Sequence, residues 1–517
     1  MDIAKNGQIT GQTRQPIFLG VFKMKKALAL ALVMTGFAVN AQAADWVPPK
    51  VPDPIPDNLT WYGITPIGAL DLGYAYQTNG RPLGSVVSGL EFSPFTTTRN
   101  YTGQAISTIA HSGLQQSFLG VKVEEPLGLG WAAIARADTG IDPLQGTLSN
   151  GCVSFLQNAG ITYNLQNSNA DSGRCGQAFN GQLWGGISNK QYGTLTIGRQ
   201  NSFELDNIAK YDPMELSYAF SLLGYSGTDG GMGSTQAARW DNSAKYVYDF
   251  GIVHAGAMYS SGGSNTGFFG NSYGFDVGAV YQGFSIDAIY TKEHGAVNLQ
   301  SAVNDPVGAT TLAANISDNT AWSVMAKYTW NLGSGWAAPA PFYTKAAKAE
   351  PQHDKFTLFA GYTNLSQSNP NEPVLFGGAA GGYTLTSTAV LPDNNAFTTD
   401  KVLQFFWAGA KYELAWGLSF TGAYYHVNQN SYVADGAACI AGGASKTDCS
   451  GAYDEVSFLT DYALNKHLDV YAGAMWAQVT NGLASGYPGT PGAKFGFAGT
   501  NTSVNTATFM TGFRIKI

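Results

Sequence analysis

The chain of 517 residues has little charge, little cysteine and almost no long apolar run. Charged residues make up 12% of it while aromatic residues reach 13%, against roughly a quarter charged in an ordinary soluble domain. That balance excludes a disordered chain, which needs many charges and few aromatics. Four cysteines, Cys152, Cys175, Cys439 and Cys449, are too few for a small disulfide-dense scaffold and lack the C-x-x-C and histidine spacing of a structural zinc site. A helical membrane protein needs runs of about 20 apolar residues. The run that comes nearest, 27–39, is shorter, follows Lys23, Lys25 and Lys26, and precedes Ala41-Gln42-Ala43. This is the order of a cleavable secretory signal, so residues 1–43 are read as an extended start plus signal peptide. Removing them leaves 23 basic and 34 acidic residues and a formal charge of -11. No nucleic-acid partner is expected, because phosphate binding draws on a basic surface.

The cysteines fall into two local pairs inside Gly-, Asn- and Ser-rich stretches, as suits an exported chain. Three connectivities are open; the local one, Cys152 with Cys175 and Cys439 with Cys449, closes two surface loops and contributes about 3 kcal/mol to each in the chain-entropy model.

What is abundant is alternation. Trp240, Ala244, Tyr246, Tyr248 and Phe250 share one side of a segment whose other side carries Arg239, Asp241, Ser243, Lys245 and Asp249. Trp322, Val324, Ala326, Tyr328 and Trp330 alternate with Ser323, Met325, Lys327 and Thr329, and Phe356, Leu358, Ala360 and Tyr362 with Lys355, Thr357 and Thr363. Segments of about ten residues that put apolar groups on one face, polar groups on the other and aromatics at the ends read as transmembrane β-strands. A soluble sandwich would expose a more heavily charged face.

The pattern predicts strands near 59–77, 109–124, 131–138, 182–189, 194–200, 239–249, 252–260, 272–282, 284–294, 320–331, 355–367, 401–415, 418–429, 453–465, 468–480 and 503–517. That is a 16-stranded antiparallel β-barrel over 59–517, an even count as single-chain bacterial barrels have. Connections alternate between short periplasmic turns and long external loops. Segment 333–354 is too long for its place, which implies either an added element or a slip of register. Residues 44–58, with Pro48, Pro49, Pro52, Pro54 and Pro56, form an extended periplasmic lead.

A barrel of this size leaves an aqueous channel, and what limits passage is a loop folded into it. The loop 201–238 has the composition for this: Glu204, Asp206, Asp212, Glu215 and Asp229 for charge, and Phe203, Leu205, Met214, Leu216, Tyr218 and Phe220 for packing. Around it, Tyr192-Gly193-Thr194-Leu195-Thr196-Ile197-Gly198-Arg199-Gln200, Asp212-Pro213 and Arg239-Trp240-Asp241-Asn242-Ser243 resemble the trimeric general porins of Gram-negative bacteria. The resemblance implies an inward-folded third loop whose acids face wall arginines, a homotrimer in outer membrane lipid and lipopolysaccharide, and passive diffusion of ions and small hydrophilic solutes. On it, Arg136, Arg199 and Arg239 form the basic wall of the constriction, and Glu204, Asp206, Asp212 and Glu215 its acidic side. Strict alternation would turn Arg199 outward with Leu195 and Ile197, so a bulge near Gly198 is required. Phe118 and Gly181 stand where the family often has Arg, which depletes the basic side and predicts weak cation preference.

Nothing points to catalysis, a cofactor or a metal. His111, His254, His294, His353, His426 and His467 are scattered singly, without H-E-x-x-H or G-x-S-x-G segments. Two other readings remain: a substrate-selective channel in which Phe405, Trp407, Tyr425 and Tyr471 line a slide for a sugar or organic acid, and a surface receptor or adhesin using loops 140–181 and 368–401.

Overall fold

The computed structural model describes residues 55–56, 59–80, 104–144, 146–148, 178–225, 236–262, 270–301, 312–333, 353–371, 382–387, 390–395, 397, 399–432, 450–481 and 503–517. The first half of the wall comprises β1 (Ile64–Gly80), β2 (Gln104–His111 continued by Phe118–Gly128), β3 (Trp131–Asp142), β4 (Leu183–Asn189), β5 (Gly193–Asn201), β6 (Arg239–Asp249), β7 (Val253–Ser260) and β8 (Ser272–Tyr281). The second comprises β9 (Phe284–Ser301), β10 (Leu312–Leu332), β11 (Asp354–Ser368), β12 (Lys401–Glu413), β13 (Leu418–Gln429), β14 (Gly451–Ala463), β15 (Leu468–Asn481) and β16 (Ser503–Lys516). Each pairs antiparallel with its neighbours, and β16 closes on β1 from Ala69↔Lys516 to Gln77↔Thr508. Closure leaves no unpaired sheet edge, the condition for strands to cross lipid. All sixteen expected strands are in the wall. Three short segments, Thr147–Leu148, Gly382–Ser387 and Val390–Asn395, extend it at β3 and β10.

The two faces are chemically opposite. Ile109, Ile197, Phe275, Val277, Val324, Leu358, Val456 and Phe458 are exposed on the outer one, whereas Asp71, Thr196, Ser243, Asp287, Thr357, Thr421, Glu455 and Asp469 are buried on the inner one. An apolar exterior around a polar interior inverts the soluble pattern. Aromatic pairs gather at two levels of the exterior: Trp131 with Tyr192, Trp330 with Phe356 and Trp416 with Tyr462 near the short turns, and Tyr76 with Phe509 and Trp322 with Tyr362 toward the other end. Rings at both levels suit the two interfaces of a bilayer. Two-residue turns join Gly128 to Trp131 and Tyr281 to Phe284; in the second, Gln282 and Gly283 both have positive φ, 45° and 85°. Two such residues make the primed turn whose twist matches the flanking strands.

Three local features differ from strict alternation or were left open by it. The expected continuous strand over 109–124 is broken: Gln104–His111 pairs with the upper half of β1 and Phe118–Gly128 with the lower half. The residues between, 112–117, leave the wall because Asp71 captures them. Its Oδ2 accepts the amides of Leu114 and Gln115 at 2.7 and 3.1 Å, and Tyr471 Oη donates to its Oδ1 at 2.6 Å. The bulge expected near Gly198 is present, since two steps along β5 from Gly198 to Gln200 face three steps along β6 from Ser243 to Trp240. It turns Arg199 to the buried face, and it also turns Trp240 inward, contrary to the alternation read for β6. The register of β10 with β11 runs unbroken to Leu332↔Asp354, so no slip occurs there.

Residues 1–43, most of the Pro-rich lead, Asp229, segment 334–352 and all four cysteines lie outside the described residues.

Candidate pore constriction

After β5 the chain forms α1 (Phe203–Tyr211) and, further on, a single 3-10 turn at Leu222–Tyr225. Ser202 caps the helix by accepting the Leu205 amide at 3.2 Å, Glu204 and Asp206 occupy its first turn and Lys210 its last. Each charge sits where it offsets the helix dipole. Phe203, Ile208 and Tyr211 are buried.

The segment is bonded to the buried faces of strands far apart in the wall. Trp407 Nε1 of β12 donates to the Tyr211 carbonyl at 3.0 Å, and Tyr425 Oη of β13 donates to Asp212 Oδ1 at 2.5 Å. Tyr211 Oη donates to Asp287 of β9. Lys327 Nζ of β10 donates to the Lys210 carbonyl at 2.9 Å. The Gly113 carbonyl, in the excursion out of β2, accepts Ser217 Oγ at 2.7 Å and the Ala219 amide at 3.0 Å.

Wall glycines receive the segment's bulky groups. A Cβ at Gly256 would lie 2.6 Å from the Phe203 ring, one at Gly409 2.5 Å from Pro213 Cγ, and one at Gly473 2.6 Å from the Phe220 ring. Glycine inside a strand marks such close approaches. In the sequence these positions look like weak points of strands, and only their inward phase distinguishes them.

The four acidic residues named from sequence have different settings. Asp206 pairs with Lys245 Nζ at 2.5 Å and Glu215 with Lys411 Nζ at 2.5 Å. Asp212 is fully buried and accepts Tyr425, Ser221 Oγ at 2.7 Å and the Leu216 amide at 2.8 Å. Glu204 is buried and accepts Thr291 Oγ1 and, at 3.1 Å, Gln236 Nε2.

The three arginines have settings of their own. Arg199 donates to Asp241 Oδ1 at 3.1 Å and to the carbonyls of Gly181 and Asn180 at 3.0 and 2.8 Å. Arg136 pairs with Asp138 two residues along its own strand. Arg239 opens β6, half-buried and opposite Asn201. Lys245 and Lys411 reach two of the loop acids, Asp206 and Glu215. Arg514 lines one pocket with Glu215 and Lys411 while its guanidinium holds Asp469 at 2.9 Å. Lys411 was detectable as the inward member of Trp407, Gly409, Lys411, but its partner lies 196 positions away.

Desolvation pushes the Glu204 carboxyl above the usual glutamate range, against the hydrogen bonds of Thr291 and Gln236. The native state therefore holds a proton there at pH values where the unfolded chain has lost it, and stability from this group falls as pH rises through the raised value. Glu204→Gln keeps an acceptor for Thr291 without the charge. Thermal unfolding at pH 5 and pH 8 is expected to show the variant gaining on the parent at the higher pH. An unchanged difference would place the ionised carboxylate in a comfortable site.

A closed barrel with a greasy exterior, a polar interior and an acidic segment bonded to its inner face is the architecture of an outer-membrane channel. The chain belongs to the Gram-negative porin family, whose sequence model matches residues 27–482. It is accordingly a multi-pass protein of the bacterial outer membrane, in a family of channels rather than enzymes. Its structure is similar to an anion-selective porin from Comamonas acidovorans, with a TM-score of 0.51 and 13% identity over 88% of this chain and 99% of that one. It is also similar to OmpT of Vibrio cholerae, with a TM-score of 0.47 and 13% identity over 89% and 100%. The outer membrane channel DcaP of Acinetobacter baumannii gives a TM-score of 0.43 and 11% identity over 88% and 97%. At these identities the likeness is one of fold. No curated protein sequence matches the chain.

Proposed function

We propose that residues 202–225 cross the lumen and narrow it, so that the barrel passes ions and small hydrophilic solutes by diffusion with weak cation preference. The observation that carries this reading is the set of bonds from one segment to strands β9, β10, β12 and β13 and to Gly113, contacts that a loop lying outside the wall would not make together. On the segment itself acidic side chains outnumber basic ones, with Asp206, Asp212 and Glu215 against Lys210, and Glu204 is left out of that count because desolvation favours its protonated form. In a narrow low-dielectric passage that excess favours cations. The reading includes removal of residues 1–43, a periplasmic lead at 44–58, and a homotrimer embedded in outer membrane lipid with lipopolysaccharide.

The slide reading is less well supported. Phe405, Trp407, Tyr425 and Tyr471 do face the buried side, but the polar atoms of Trp407, Tyr425 and Tyr471 hold Tyr211, Asp212 and Asp71. They brace the interior and are not free to grip a solute.

Planar-bilayer recording tests the proposal: purified protein is expected to insert with stepwise conductance and a cation-sided reversal potential in a salt gradient. Lys411→Ala strips the counter-charge from Glu215 and Glu413. The cation-to-anion permeability ratio is expected to rise roughly twofold, one elementary charge being removed at a constriction. An anion-sided potential, or a ratio indifferent to Lys411, would move the selectivity elsewhere.

A further inference from the structure

Beside α1, on the inner face, His254 of β7, Asp276 of β8 and Asp287 of β9 converge. His254, Gly278 and Asp287 occupy one row across three strands, with Gly278 in the middle. With no side chain at 278, the two flanking residues meet above the backbone, His254 Nε2 at 2.5 Å from Asp287 Oδ1. A Cβ at 278 would fall 2.1 Å from that oxygen and 2.6 Å from that nitrogen. Asp276, two residues along on the same face, brings Oδ2 to 3.7 Å from His254 Nε2. One ligand atom from each residue lies within 4.8 Å of the others.

A second observation points to a missing occupant. The side chain of Asp276 is 5% exposed, and its Oδ1 has no hydrogen-bond partner among the described residues. An unmatched carboxylate oxygen in a buried site costs free energy unless a cation or donor meets it.

We propose that His254, Asp276 and Asp287 bind a divalent transition cation of the zinc class. Two carboxylates supply a charge of -2 beside a neutral imidazole, which a divalent ion balances. The nitrogen ligand selects zinc-like ions over magnesium and calcium, which prefer oxygen alone. Three protein ligands leave a fourth position open for water or a solute. Tyr211 Oη, donating to Asp287, and Ser285, 2.5 Å from the same hydroxyl, orient the ligand carboxylate from outside. The bound ion would then tie the last turn of α1 to β9 through Tyr211. Metal binding itself does not depend on which solutes the channel passes.

Calorimetric titration of the full-length, tag-free protein in detergent, first stripped with a chelator, tests this with zinc chloride, and cobalt chloride reports geometry by its visible absorption. One saturable zinc site per chain is expected, with at least tenfold weaker binding in Asp276→Asn and in His254→Gln. Asp276→Asn leaves the His254–Asp287 contact in place and so guards against a merely misfolded variant, and intact barrel structure is verified by circular dichroism. Absence of saturable zinc uptake, uptake unchanged in both variants, or calcium binding as tight as zinc would each overturn the proposal.

Discussion

Asp212→Ala is expected to raise single-channel conductance and make it unsteady while the barrel stays folded. Asp212 accepts four groups, Tyr425 Oη, Ser221 Oγ and the amides of Met214 and Leu216. Alanine leaves these donors without their acceptor in a buried place, at about 1–3 kcal/mol for each one not rescued by water. The same turn holds Glu215 and Leu216 at φ of 54° and 59°, a left-handed pair of non-glycine residues. Such a conformation costs about 1–3 kcal/mol per residue and persists only when its surroundings impose it. With Asp212 gone, relaxing that strain and solvating the freed donors both favour release of 213–221 from the wall. No ladder pair of the sheet involves Asp212, so the effect belongs to the segment and not to the cylinder. Asp212→Asn, which keeps one acceptor oxygen, should fall between. Conductance and open-channel noise identical to the parent in Asp212→Ala would show that the segment is held elsewhere.

The wall was legible from sequence and the interior much less so. A strand in lipid has one face dictated by hydrocarbon and one by water, and that demand repeats every second residue; it is why sixteen strands could be placed without a partner strand in view. The same rule failed at Trp240, because the bulge opposite Gly198 adds a residue and flips the phase beyond it. It failed at 112–117 because the cause of the break, Asp71, sits on another strand. The arginines illustrate the deeper limit. Which charges face one another follows distances across a cylinder that no single segment carries: Arg199 donates to Asp241 and two backbone carbonyls, and Glu215 meets Lys411 from a strand 196 positions on. His254 reads as a lone lumen histidine along the chain; only the pairing of three strands sets it beside two aspartates.

The inner glycines give the second large effect, with an internal control. Gly473 on β15 leaves space for Phe220, whose ring carbons lie 2.6, 2.8 and 2.9 Å from where a Cβ would be. Phe220 has no exposed surface, so the ring cannot swing aside without moving the segment that carries it. Gly473→Val therefore forces either a shift of the backbone near 220 or strain in β15, and overpacking of this kind costs about 1–3 kcal/mol. Gly422 on β13 is also a strand glycine, but its Cβ position has nothing within 4 Å. It alternates with the buried Thr421 and Ala423 and so faces outward. Valine there adds an apolar group toward lipid and is expected to be nearly neutral. If glycine mattered only through β-propensity, both replacements would stabilise their strands alike. If the wall is carved to seat the loop, Gly473→Val lowers the unfolding temperature and alters conductance, and Gly422→Val does neither. The comparison is made on two variants of one protein in one detergent, so that the difference between them reports the contact with Phe220; equal unfolding temperatures and conductances would mean that the fit at Gly473 does not position the segment.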